Sequence, residues 1–187
     1  MEYLVRTDDA GISYGGFRWA PLGEWTEAPD WDPAPRCGGG LHGQHPSASG
    51  YRGGGSRVVL AEIDGPLVTI GVDKIKVRRA RIVAVDDLSA APAHWPGNLD
   101  LAGCTALRAL PKGLKVGSHL DLRGCSALQA LPEGLTVGSS LSLLGCSALR
   151  ALPKGLTVGS TLDLRGCSAL RALPKDLKVE GEIYGRP

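Results

Sequence analysis

The chain has 187 residues, with 27 Gly, 13 Pro, 4 Trp, 4 Tyr and 1 Phe. Interior Gly and Pro penalise helices by about 1 and about 3 kcal/mol each, which excludes a helical bundle; no Gly-X-Y period appears, so collagen is excluded, and an apolar share of 43% excludes a disordered chain. A net charge of +2 is too small to argue by bulk charge for a nucleic-acid or membrane partner.

The first residues, Met1 to Asp9, hold no apolar h-region, so no signal peptide is expected. No apolar stretch approaches the length of a membrane span, and a cytoplasmic protein is expected. Residues 1–98 carry 10 basic and 12 acidic side chains, and residues 99–187 carry 11 and 7.

Residues 1–87 read as a β-rich domain, with predicted strands at 2–6, 14–19, 57–63, 67–72 and 74–85. Between the second and third lies a long loop, 37–56, with eight glycines in its twenty residues. A structureless loop of that length is usually functional or disordered. Trp19, Trp25 and Trp31 recur every six residues and are expected to supply core mass.

The motifs Gly16-Phe17-x-Trp19-x-x-x-Gly23-x-Trp25, Cys37-x-x-Gly40-Leu41-His42, Ser56-Arg57 through Glu62-Ile63-Asp64-Gly65, and Asp73-Lys74-Ile75-Lys76-Val77 cover most of 1–80. In combination they resemble a bacterial and phage domain family of unknown function that precedes repeat arrays. The resemblance implies a bacterial or mobile-element origin and no reaction.

Three chemistries are weighed in this half. Cys37, His42 and His45 offer soft sulfur and imidazole to zinc, with Asp30 or Asp32 as a fourth ligand, but the spacing is not a standard finger. Cys37 with His42 is a nucleophile–base candidate, although both stand in one loop. Arg6, the Gly-Leu-His element, Tyr51 and Glu62 loosely resemble an ADP-ribosyltransferase order. The glycine clusters spell no phosphate-binding motif. Packing of a Cys or His in a glycine-rich turn is the plain alternative, and no cofactor is expected.

Residues 88–98, LSAAPAHWPGN, form a Pro/Ala linker or cap, with Trp95 placed to cover the first coil of a repeat array. Residues 99–119, 120–140, 141–161 and 162–182 are one 21-residue unit written four times. In the second unit Leu120-x-Leu122 faces one side of a short strand. Cys125 marks a turn, Leu128 and Leu131 point inward, and Pro132 keeps the segment out of a helix. Leu135-x-Val137 is a second inward run, and Gly138-Ser139 turns the chain into the next coil. One unit cannot bury its apolar face alone, so the coils must stack.

The segment Leu120-x-Leu122-x-x-Cys125-x-x-Leu128-x-x-Leu131-Pro132 recurs in every unit and resembles the leucine-rich repeat family, in its short bacterial form. The fold expected is mainly β: a small β-rich domain (1–87), a linker or cap (88–98) and a four-coil leucine-rich-repeat solenoid without long helices (99–187). Cys104, Cys125, Cys146 and Cys167 form a buried thiol column, because a linear ladder cannot converge on a tetrahedral metal.

Family members mostly bind proteins on the surface of the L-x-L strands. The contacts expected there are His119, Asp121, Arg123, Asp163 and Arg165. A second pair of outward rows holds Arg108, Gln129, Arg150 and Arg171 beside Lys112, Glu133, Lys154 and Lys175. No aromatics interleave with them, which argues against a nucleic-acid stacking platform. The reading is a non-enzymatic, protein-binding module, with a phage or prophage origin making a host protein the target. The rivals are an enzyme or small-ligand binder at Cys37, His42 and His45, and a structural protein whose coils stack across molecules. Glu180 and Glu182 at the last turn would discourage such edge pairing.

Overall fold

Strand β1 (Glu2–Asp8) serves two cores at once. Its alternate residues face opposite sides, and Leu4 packs in one apolar cluster while Val5 packs in another. The computed structural model describes residues 2–8, 18–36, 40–46, 55–72 and 74–185, and contains no helix among them.

Next in the chain are β2 (Trp25–Glu27), β3 (Leu41–Gly43), β4 (Arg57–Ile70) and β5 (Lys74–Val85). They form an antiparallel sheet in the order β1-β4-β5-β2, with β3 also on β5. Val5 and Gln44 exchange backbone hydrogen bonds of 2.8 and 2.6 Å, so β3 leads back to β1 and the sheet curls on itself. Leu4, Leu41, Val59, Ala61, Ile75 and Val77 fill the inside.

The sequence expectations change here in four places. The two strands expected at 57–63 and 67–72 are one, β4, with a register shift between Asp64 and Leu67. Gly65 sits at that shift with φ 94°, a conformation that glycine tolerates without Cβ strain. The segment 37–56 is not a structureless loop, since β3 lies in it and pairs with β5. β2 had no clear signal, being three residues long. Trp19 is buried and Trp31 packs against the same cluster, but Trp25 is not core. Its half-buried ring lies against the guanidiniums of Arg79 and Arg81, 4.4 and 4.9 Å away. Of the strand expected at 14–19, residues 14–17 lie outside the described residues.

From His94 the chain is a β-solenoid of four 21-residue coils. Its strands are β6 (His94–Trp95), β7 (Leu99–Asp100), β8 (Lys115–Val116), β9 (Leu120–Asp121), β10 (Thr136–Val137), β11 (Leu141–Ser142), β12 (Thr157–Val158), β13 (Leu162–Asp163), β14 (Lys178–Val179) and β15 (Ile183–Tyr184). Even-numbered strands stack into one parallel sheet and odd-numbered strands into another. The register steps by one repeat, so Leu99, Leu120, Leu141, Leu162 and Ile183 stand above one another.

Inside, leucines, valines and the cysteine column make one continuous core. The thiols of Cys125, Cys146 and Cys167 donate to the carbonyls of Leu101, Leu122 and Leu143 at 3.1–3.2 Å. Burial pushes the Cys104 and Cys146 thiols up to about 12, so they act as apolar spacers with a weak donor.

The N-terminal sheet closes the first coil. Val5, Val58 and Leu60 join the solenoid core. The Gln44 amide donates to Asp100 O at 2.7 Å and accepts Asp100 N–H at 3.0 Å. Ala109 O accepts the N–H of Leu88, and Asp86 O accepts that of Arg108. Trp95, 1% exposed, pairs on β8 and its indole donates to Pro92 O. Residues 88–98 thus supply a strand of the stack as well as its lid.

Candidate functional site

The odd-numbered sheet turns its x positions outward, because the flanking leucines of each L-x-L take the core side. Those outward residues line a shallow groove of about 460 Å³ across the coils. Its walls hold all five expected contacts, His119, Asp121, Arg123, Asp163 and Arg165, together with Asn98, Asp100, Ser140, Ser142 and Leu144.

Two coils carry the same device. The carboxylate of Asp121 accepts the backbone N–H of Arg123 at 3.1 Å. It also clamps that guanidinium, with Nε to Oδ1 at 2.9 Å and Nη2 to Oδ2 at 2.6 Å. Asp163 does the same to Arg165, at 3.1, 3.0 and 2.7 Å. The Arg165 guanidinium holds the Asp163 carboxyl below its usual value, and each aspartate raises its own arginine. Charge-assisted bidentate pairs of this kind fix orientation as well as charge. Each guanidinium has five N–H donors, so the clamp leaves some of them directed outward.

The coil between the clamps differs. Ser142 and Leu144 replace the pair, and Leu144 is 38% exposed. Arg123 and Arg165 therefore flank an apolar notch, about 10 Å apart across two coil steps. Tyr184, opposite Asp163 in register, packs on the Arg165 guanidinium at 5.6 Å. Nothing in the motif reading singled out Tyr184; the signal was its place at the x position after Ile183.

The structure describes the N-terminal candidates in part. Cys37 and Tyr51 lie outside the described residues. His42 is on β3 and His45 stands three residues later, which in extended chain directs the two side chains to opposite faces. Among the described residues, no three His, Cys, Asp or Glu side chains gather as a metal site. Arg6 is opposite Val59 in β4, three residues from Glu62, so those two also take opposite faces. Glu62 instead pairs with Arg81 at 2.8 Å, and Arg6 donates to His42 O at 2.9 Å.

His42 is half-buried beside three cations. Burial, then Lys74, Arg6 and Lys76, pull its imidazole down from 6.5 to about 4. That positive surround opposes a divalent ion there. It also makes the fold acid-sensitive. The unfolded imidazole takes a proton near pH 6.5, while the folded one resists until about 4. The stabilisation is thus complete above 6.5 and lost as pH falls through 4. After allowing for solvent screening, about 1–2 kcal/mol should disappear across that window. Urea midpoints for wild type and His42→Asn should converge at acid pH; parallel curves would refute the assignment.

Set against protein-family models, curated proteins and solved structures, the chain matches none of them. No helix among the described residues is long and apolar enough to cross a membrane.

Proposed function

We propose that this chain is a non-enzymatic interaction module that receives an extended polypeptide segment in the groove of its odd-numbered sheet. The observation that carries this reading is the pair of Asp–Arg clamps with Leu144 exposed between them. Both guanidiniums are neutralised by their own carboxylates, so the groove favours neutral acceptors over acids. Backbone carbonyls beside a small apolar side chain fit that description. The likeness of the 21-residue unit to leucine-rich repeats supports the same face. An origin on a phage genome would make the partner a host protein.

Selection from a displayed library of unstructured peptides tests this. Recovered peptides should be poor in charge and carry an aliphatic residue. Their binding should fall about tenfold or more on Leu144→Arg, the scale expected when an apolar anchor of ~1.5–3 kcal/mol is lost. Peptides that bind Leu144→Arg and the double variant Arg123→Ala/Arg165→Ala as well as wild type would overturn the proposal.

A further inference from the structure

The arginines of the groove are folded onto aspartates of their own coils, but those on the adjoining side of the solenoid are not. After each cysteine turn the chain returns through an extended segment; neighbouring segments follow the one-repeat register of the two sheets, and those of the second and third coils are bonded directly. Ala130 bridges Ala151, and the N–H of Arg150 donates to Gln129 O at 3.1 Å. Their outward side chains therefore form rows with a step of about 4.8 Å. On the third and fourth coils the rows carry Arg150 and Arg171, then Lys154 and Lys175, all exposed. Among the described residues none of these four forms an ion pair. The nearby Asp176 is engaged with the backbone N–H of Gly155 at 2.8 Å.

We propose that this four-cation surface docks an acidic polypeptide segment, on a face separate from the groove. Charge complementarity requires an anion, and three further observations select which. Between the rows the exposed residues are Ala151 and Ala172; Leu152 and Pro153 are buried, and Leu173 and Pro174 are half-buried, with Leu173 packed on the core. No aromatic is present to stack a base, and no large apolar side chain stands exposed to enter a bilayer. Second, the second coil places an exposed Glu133 in the lysine row. A uniform polyanion, whether a phosphate backbone or an anionic lipid surface, would run over that carboxylate. A peptide sets its charges residue by residue and avoids it. Third, the patch spans one coil step by at most about 13 Å of extended chain. Four cations in that space are few beside the roughly 6–10 phosphate contacts that give a duplex-binding protein a steep salt dependence.

The arginine forks suit carboxylates, which they can bind bidentately. A peptide lying along the return segment would meet the two rows with acids at positions i and i+4.

The test uses the full chain and three probes: a peptide of glutamates at four-residue spacing, a short random DNA duplex, and vesicles of anionic phospholipid. The peptide should bind in low salt, better than either other probe. Its affinity should fall about tenfold or more in Lys154→Glu/Lys175→Glu, since several exposed pairs are lost together. Binding should be unchanged in Leu144→Ser, a neutral change in the groove, which separates this face from it. Glu133→Lys should raise duplex and vesicle binding. Peptide binding that survives Lys154→Glu/Lys175→Glu, or wild-type preference for duplex or vesicles, would overturn the proposal.

Discussion

Gly138→Ala is expected to lower stability by about 3 kcal/mol, the upper end of ordinary overpacking. The glycine is not there for its dihedrals. A Cβ on Gly138 would collide with Gly117 O, in the coil beneath, and one on Gly159 would collide with Gly138 O. Neither oxygen can swing away, because both are backbone. The chain around each is tied to its neighbour coil, with the N–H of Gly138 donating to Val116 O at 2.7 Å and that of Ser139 to Ser118 O at 3.0 Å. Relief means spreading two coils and losing those bonds. Gly134→Ala is the control. It has φ 76° and a clearance of 3.4 Å to the coil below, so it should cost only about 1 kcal/mol, for the left-handed backbone. Urea midpoints of the two variants decide the matter. Equal midpoints would mean that close approach is not what fixes Gly138.

Gln44→Leu should cost about 2–4 kcal/mol, since two partly buried backbone groups lose their partners at about 1–3 kcal/mol each for full burial. Gln44 is fully buried. Its side-chain amide meets Asp100 as the backbone of a preceding coil would, donating at 2.7 Å and accepting at 3.0 Å. Leucine has a similar volume and offers neither bond. Amide hydrogen exchange should localise the effect, with Asp100 and Leu101 losing protection before Leu143 and Leu164. Uniform loss along the solenoid would show that Gln44 does not hold the first rung in particular.

The solenoid was legible because its information is local and repeated. Four near-identical units report the inward leucines, the cysteine column and the outward rows, and the observed register matches them step for step. What the unit could not reveal is what differs between two glycines in it. Gly134 and Gly138 look alike as corner residues, yet one needs its φ and the other its missing side chain. The groove was legible as rows, whereas the clamping of each arginine by the aspartate two residues earlier was not, because side-chain reach is not a spacing.

The N-terminal half was less legible for a physical reason. β2 and β3 are three residues each, too short for an alternation to register, and they are held by β5 rather than by propensity. Gln44, one of the residues that join the two halves, sits 56 positions from its partner and has no periodic context. Trp25 stands at a regular spacing with Trp19 and Trp31, yet the sheet turns it outward onto arginines.

The two ends of the stack are unequal. Beneath the first coil, side chains and bridging strands from four separate stretches of the N-terminal half fit one specific rung. At the far end β14 and β15 repeat the geometry of every rung before them. Rung number is therefore an adjustable dimension of this molecule. Duplicating or deleting the 21-residue unit 141–161 leaves the foundation untouched and moves the terminal rung by about 4.8 Å. The separation between the two clamps would change in that quantum, making the array a ruler whose gauge is reset by recombination instead of by point substitution.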